Sequence, residues 1–301
     1  MSQRPIIVDT KMHGRERITG SFVIRGEKTA IIETGPKTSA TAVLAGLEAL
    51  GIESLDWIVV THIHLDHAGA AGTLARHFPE ATVAVHHVGA PHLVDPAKLW
   101  ASATRIYGDD MERLWGGIDP LDPDRIVALD DGDKVDLGGR SLQAIDTPGH
   151  AGHHHAYLDD ATGIVFCGDA LGVRLPEIGR IRPATPPPEF RLDLAVESIE
   201  RIRGLEPSEL WPTHFGPVDA PIDETCNQAI DALRQWESWV RAARARTKDL
   251  DEATALVRAA ARKELERGLA PEDVDRMEQT TSYRMNVSGY MRYLDKSEAA
   301  T

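Results

Sequence analysis

An α+β body followed by an all-helical tail is the fold class that the sequence predicts, and three observations carry it. Short β-rich runs alternate with stretches of helical periodicity through residue 221; from Ile222 to Thr301 the texture is helical only; and no apolar run approaches the roughly 20 residues that a membrane-spanning helix needs. The expected division is a main domain over residues 1–221 and a helical extension over 222–301 packed on it.

The elements follow in order. "GSFVIRG" and "KTAIIETG" are β-rich runs hinged on Gly26-Glu27, which predicts a hairpin. "TSATAVLAGLEALG" places Val43, Leu44, Leu47 and Leu50 at helical spacing, with Thr38 or Ser39 to cap its start and Gly51 to end it. A strand "DWIVV" (56–60), a polar motif, a helix through Leu74 and a strand "TVAVH" (82–86) come next. Residues 95–117 break the alternation with a helical insert that opens on Asp95-Pro96. The β-rich runs "DKVDLGG", "SLQAIDTPGH", "HHAYLDD" and "GIVFCGDA" then resume. A Pro-rich loop leads into a helix marked by Leu192, Val196, Ile199 and Ile202, and "ELWPTHFG" closes the domain. In the tail, Cys226, Ile230, Leu233, Trp236 and Val240 fit one helical face, and Tyr283, Val287, Tyr290 and Leu294 another.

Composition narrows the function. A formal net charge of −14 opposes nucleic acid, whose recognition rests on Lys and Arg neutralising phosphates. The N-terminus lacks the apolar core of a secretory signal, and two cysteines, Cys167 and Cys226, make no disulfide framework. A cytoplasmic protein with a small-molecule substrate, without nucleic-acid or membrane partners, is expected. The amphipathic tail is compatible with a homodimer contact or with docking on its own body.

The chemistry concentrates in "THIHLDHAGA" (61–70), directly behind the apolar "WIVV". His62 and His64 are two apart, so an extended segment points both the same way; Asp66 continues the alternation and His67 adjoins it. Imidazoles with a carboxylate suit zinc, iron or manganese. Later β-like runs end in further ligand types: His150 after "SLQAIDTPG", Asp169 after "GIVFCG", His214 after "ELWPT". Together they suffice for two metal ions with one carboxylate shared.

"THIHLDH", "TPGH", "GDA" and "THFG", in that order and spacing over about residues 18–218, resemble the metallo-β-lactamase superfamily, and most closely its glyoxalase II-like hydrolase branch, which includes poorly characterised prokaryotic members. The resemblance implies an αββα four-layer sandwich, two sheets face to face with helices outside, and a catalytic domain over 1–221. It implies that His62, His64 and His150 hold a first metal and Asp66, His67 and His214 a second, with Asp169 bridging. Glu33, in "IIETGP", stands where the family usually has aspartate.

The expected cofactors are two divalent metal ions, zinc first, with manganese or iron also accommodated by these ligands. The expected reaction is hydrolysis of an ester-like bond (thioester, lactone or related acyl ester) by a metal-bridging hydroxide, with Asp66 both ligand and proton carrier. The rival reading is a mononuclear iron persulfide dioxygenase. "GHAGHHH" departs from the glyoxalase II pattern at Gly152 and His153, against glutathione-thioester specificity. His153, His154 and His155 are candidates to orient ligands by hydrogen bonds, whereas His86, His87 and His92 read as structural. Arg174, Arg180 and Arg182 are placed either to meet an anion or to be solvated.

Overall fold

The structure, a computed structural model, describes residues 4–299. The chain forms two compact units, and the first takes the chain up to Asp146 with His153–Gly168 and Pro207–Pro217. This unit holds both sheets. One has six strands in sequence order: β1 (Ile6–Asp9), β2 (Gly20–Ile24), β3 (Ala30–Ile32), β4 (Trp57–Val59), β5 (Thr82–His86) and β6 (Ile126–Leu129). The other has five: β7 (Lys134–Asp136), β8 (Ser141–Asp146), β9 (His155–Asp159), β10 (Ile164–Gly168) and β11 (Glu209–Pro212), ordered β11-β10-β9-β8-β7.

The first three strands pair antiparallel, as the expected hairpin requires, and β3 to β6 run parallel. Parallel neighbours need crossovers, which the chain supplies as helices: α1 (Ala40–Ala49), then α2 (Leu65–Ala68) and α3 (Ala71–His77), then α4 (Ala90–Val94), α5 (Ala97–Tyr107) and α6 (Met111–Trp115). Burial on both faces explains the apolar Phe22, Val23 and Ile24 of β2 and the all-apolar β3. One face of the six-stranded sheet packs Val43, Leu47, Leu74 and Phe78 of the crossover segments against Ile31, Ile58 and Val83. Its other face joins Phe22, Ile32 and Val59 to Tyr157, Phe166 and Trp211 of the second sheet. The result is the α+β sandwich expected of the sequence.

The hairpin, α1, β4, β5, β7 to β11 and the helices of the insert lie where the sequence places them. Two strands escape sequence reading, β1 and β6: both are sheet edges, only part-buried, without the two-faced apolar signal of the centre. Ser39 precedes α1 without capping it, and the Thr38 hydroxyl instead donates to the Leu114 carbonyl at 2.9 Å.

The second unit takes Thr147–Gly152, Asp169–Glu206 and the chain from Val218. Its helices are α7 (Leu192–Gly204), α8 (Ile222–Arg244), α9 (Leu250–Glu264), α10 (Pro271–Thr280) and α11 (Tyr283–Ala299). Both predicted tail faces are buried: Cys226, Ile230, Leu233, Trp236 and Val240 on α8, and Tyr283, Val287, Tyr290 and Leu294 on α11. Trp236 and Tyr283 stack with ring centroids 5.2 Å apart. No helix among the described residues is long and apolar enough to cross a membrane.

Candidate metal centre

β4 delivers the motif. Beyond Val59 the chain passes Val60 and Thr61, places His62 and Ile63 just past the strand, and enters α2 with His64 at its N-cap. Asp66 and His67 therefore lie within the single turn of α2. Ile63, between the two histidines, joins the apolar core and anchors the segment. His62 Nε2 and His64 Nδ1 come to 3.0 Å of each other. His67 Nε2 stands 3.6 Å and His214 Nε2 3.7 Å from the same oxygen, Asp66 Oδ2, and these three ligand atoms all lie within 4.8 Å of one another. Two ligands on one tetrahedral zinc are about 3.3 Å apart, given bonds of about 2.0–2.1 Å, so both groupings fit an ion with small adjustment.

In the second unit, His150 Nε2 lies 3.6 Å from Asp169 Oδ2. His150 is not a strand end, as the sequence suggested: β8 stops at Asp146, because Pro148 has no N–H for the ladder. The turn that follows puts Gly149 at φ +128°, and a Cβ there would fall 2.3 Å from the Ala195 nitrogen, so only glycine seats His150 against the start of α7. Asp169 directly follows β10, and His214 stands two residues beyond β11.

Ring protonation separates metal-ready histidines from the rest. His214 Nδ1 faces the Ile18 carbonyl at 3.1 Å and His150 Nδ1 the Ala184 carbonyl at 2.8 Å. His67 Nδ1 faces Glu33 Oε1 at 3.4 Å. The Nδ1 atoms of His150 and His214 therefore carry the proton and leave Nε2 with the lone pair that a metal takes. His62 Nδ1 reaches Thr61 Oγ1 at 3.0 Å, and that hydroxyl in turn donates to Glu33 Oε1. Glu33 is thus more than a substitute for aspartate: fully buried, at φ +68°, it faces His67 directly and His62 through Thr61. Its position next to a glycine turn was the available signal; the contacts themselves join residues far apart in the chain.

The remaining histidines divide. His154 lies against His62 (ring centroids 4.8 Å) and His153 against His64 (5.4 Å), where they can steady the ligands. His155 turns elsewhere: its Nε2 meets Asp146 Oδ1 at 2.7 Å, and His86 Nε2 lies 3.5 Å from that oxygen. This cluster has the composition of a metal site but the wrong protonation. His86 Nδ1 accepts the Val88 N–H at 3.0 Å, so its proton sits on Nε2 and points at Asp146. Burial, then the neighbouring His155, pushes the His86 pKa down to about 4. The arginines of the 174–182 loop are engaged within their own unit: Arg174 with Asp219, Arg180 with the carbonyls of Leu265 and Arg267, Arg182 with Glu278 and the Thr281 carbonyl.

Comparison with known proteins agrees with this chemistry. The family model described as the metallo-beta-lactamase superfamily matches residues 14–214. The chain belongs to the metallo-β-lactamase superfamily. A metallo-beta-lactamase fold-containing protein of Sulfurisphaera tokodaii is 33% identical over 208 residues, covering 67% of this chain and 75% of that one. A hydroxyacylglutathione hydrolase of Synechococcus is 29% identical over 71% of this chain and 75% of its own length. Another, from Aeromonas hydrophila, is 35% identical over 44% of this chain, and the match spans only 39% of that relative. Among solved structures, an archaeal superfamily protein from Sulfolobus tokodaii superposes with a TM-score of 0.67 at 25% identity, covering 91% of this chain and 93% of that one. This member of the superfamily is a metal-dependent hydrolase.

Proposed function

We propose that this metallo-β-lactamase superfamily member hydrolyses an ester-like bond, in a thioester, lactone or related acyl ester, with a pair of divalent ions, zinc first among them. In this reading His62, His64 and His150 hold one ion, Asp66, His67 and His214 the other, and Asp169 bridges them. Residues 1–221 act as the catalytic domain and 222–301 as its helical extension. The observation that carries the reading is the proton placement: His150 and His214 each turn Nδ1 to a backbone carbonyl and keep the Nε2 lone pair beside a carboxylate. The relatives named hydroxyacylglutathione hydrolase support an acyl group as the electrophile. Buried Cys167 and Cys226, both thiols, suit a reducing cytoplasm.

Such ions, when bound, lower the pKa of water towards neutrality and polarise a carbonyl. The chain does the rest. Through Thr61, Glu33 fixes the His62 ring, so that ring does not have to reorient during turnover. Asp66, whose side chain is 18% exposed against 5% for Asp169, is the carboxylate open to the substrate side. It takes the proton of the attacking water at Oδ1, leaving Oδ2 to the grouping with His67 and His214, and passes it to the leaving group. The test is metal content of protein purified without chelator, with a screen of lactones and thioesters. Two zinc or manganese ions per chain and turnover support the reading. One iron per chain, with oxygen consumed in the presence of a persulfide, overturns it.

A further inference from the structure

The loop that joins β1 to β2, residues 10–19, is held in a strained shape beside the cluster of Asp66, His67 and His214, all within the first unit. Three of its non-glycine residues, Lys11, His13 and Arg17, have left-handed φ of +51°, +55° and +61°. Asp9 clamps the loop: one carboxylate oxygen accepts the Lys11 N–H at 2.9 Å and the other the Arg17 N–H at 2.8 Å. Strain of this kind persists only where the surroundings over-determine it, and it gathers at functional sites. The far end of the loop is fastened to the segment that carries His214. The Gly20 N–H donates to the Thr213 carbonyl at 3.0 Å, and His214 Nδ1 to the Ile18 carbonyl at 3.1 Å. The Arg17 guanidinium lies over the Phe215 ring, 5.9 Å from its centre.

We infer that His13, in the middle of this loop, is a further substrate contact: its ring hydrogen-bonds the departing oxygen or sulfur of the ester-like bond, beside Asp66. The inference rests on the proposed function and adds to it a residue that is not among the metal ligands. His13 is part-buried, its ring meets buried Trp115 edge-on at 5.5 Å, and Trp115 in turn meets Tyr107 at 5.1 Å. Trp115 ends α6, which is tied to the stretch behind the metal motif. The Thr38 hydroxyl donates to the Leu114 carbonyl, and a Cβ at Gly69 would lie 3.0 Å from Pro36 Cα. Among the described residues none hydrogen-bonds the His13 ring, although it is seated. Burial holds its pKa below the usual imidazole value; of the charges around it Asp66 acts most strongly, upward, ahead of Arg113 and Arg15. At pH 7 it is therefore a neutral imidazole with one N–H to give. In the proposed reaction Asp66 passes the proton of water to the leaving group, so a side chain in the field of Asp66 stands on that side. The leaving atom keeps the electron pair of the broken bond and takes its proton from Asp66. His13 gives up no proton; its N–H stabilises the charge that builds on the leaving atom.

The experiment compares zinc-loaded wild type with His13→Gly, His13→Phe and His13→Asn. Glycine and asparagine both accept the left-handed backbone, and phenylalanine keeps a ring against Trp115 without an N–H. Each is assayed on acetyl thioesters of thiols graded from nitrothiophenol to ethanethiol. Zinc content is measured alongside, and binding of 2-mercaptoethanol is followed by calorimetry. His13→Gly and His13→Phe are expected to lose about 10–100-fold in kcat on the ethanethiol ester, the size of a hydrogen bond to a charged group. The loss is expected to shrink as the thiol becomes more acidic, and His13→Asn to recover part of it. Zinc content is expected to stay unchanged and thiol binding to weaken in His13→Gly and His13→Phe. A loss of equal size on every leaving group with thiol binding unmoved, or loss of zinc in both variants, overturns the inference and leaves ester hydrolysis standing. Absence of hydrolysis in wild type, with thiol binding weakened by the two variants, sinks the hydrolytic reading and keeps His13 as a ligand contact. Absence of both overturns both.

Discussion

Glu33 and His86 are both buried, titratable and close to the centre, yet they do opposite things with a proton. Glu33 accepts from the Thr61 hydroxyl that faces His62, so replacing it by glutamine keeps the shape but changes the acceptor that holds Thr61. Glu33→Gln is expected to weaken metal affinity by about 10–100-fold, the usual cost of losing a group that orients a ligand. Competition with a fluorescent chelator measures this. His86 is held neutral down to about pH 4 by burial and His155, whereas in the unfolded chain it protonates near 6.5. The unfolded state therefore binds more protons between those values, and stability falls as pH drops from about 6.5 towards 4. His86 accounts for up to about 3 kcal/mol of that fall. His86→Asn keeps an acceptor for the Val88 N–H without titrating. Urea unfolding at pH 7 and pH 4.5 should show a smaller difference for the variant than for wild type; an equal difference would place the acid sensitivity elsewhere.

At the scale of elements, α11 is the brace of the second unit. Its buried face was legible as a helical stripe, because burying Tyr283, Val287, Tyr290 and Leu294 on one side requires that spacing. What they meet was not legible. Tyr283 donates to Glu266 and lies under the Arg182 guanidinium, 4.4 Å from its ring centre, while Tyr290 donates to α8. Tyr290→Phe keeps the packing and removes one buried hydrogen bond, which costs about 0.5–1.5 kcal/mol. Gly289→Ala forces a methyl into the Thr185 carbonyl and is expected to cost about 1–3 kcal/mol or more, as overpacking does. Thermal unfolding should rank Gly289→Ala below Tyr290→Phe, and the reverse order would mean that α11 gives way easily.

For the whole molecule, a net charge of −14 argues that binding to a DNA oligonucleotide, followed by fluorescence anisotropy at about 0.15 M salt, will be undetectable. Chelation should lower the melting temperature, since metal binds the folded chain and not the unfolded one. The sequence by itself determined the candidate ligand types and their order, because "THIHLDH", His150, Asp169 and His214 state their chemistry locally and a strand or turn presents such residues at fixed spacing. It also determined the alternation of strands and crossovers, since the centres of β2, β3 and β5 have to be apolar to be buried on two faces. Only the tertiary structure decided which histidines are ready for metal. The atom that faces each Nδ1 comes from far along the chain: Ile18 for His214, Ala184 for His150 and Glu33 for His67. Hydrogen-bond direction is a property of neighbours, and neighbours far apart in sequence exist only in the folded chain.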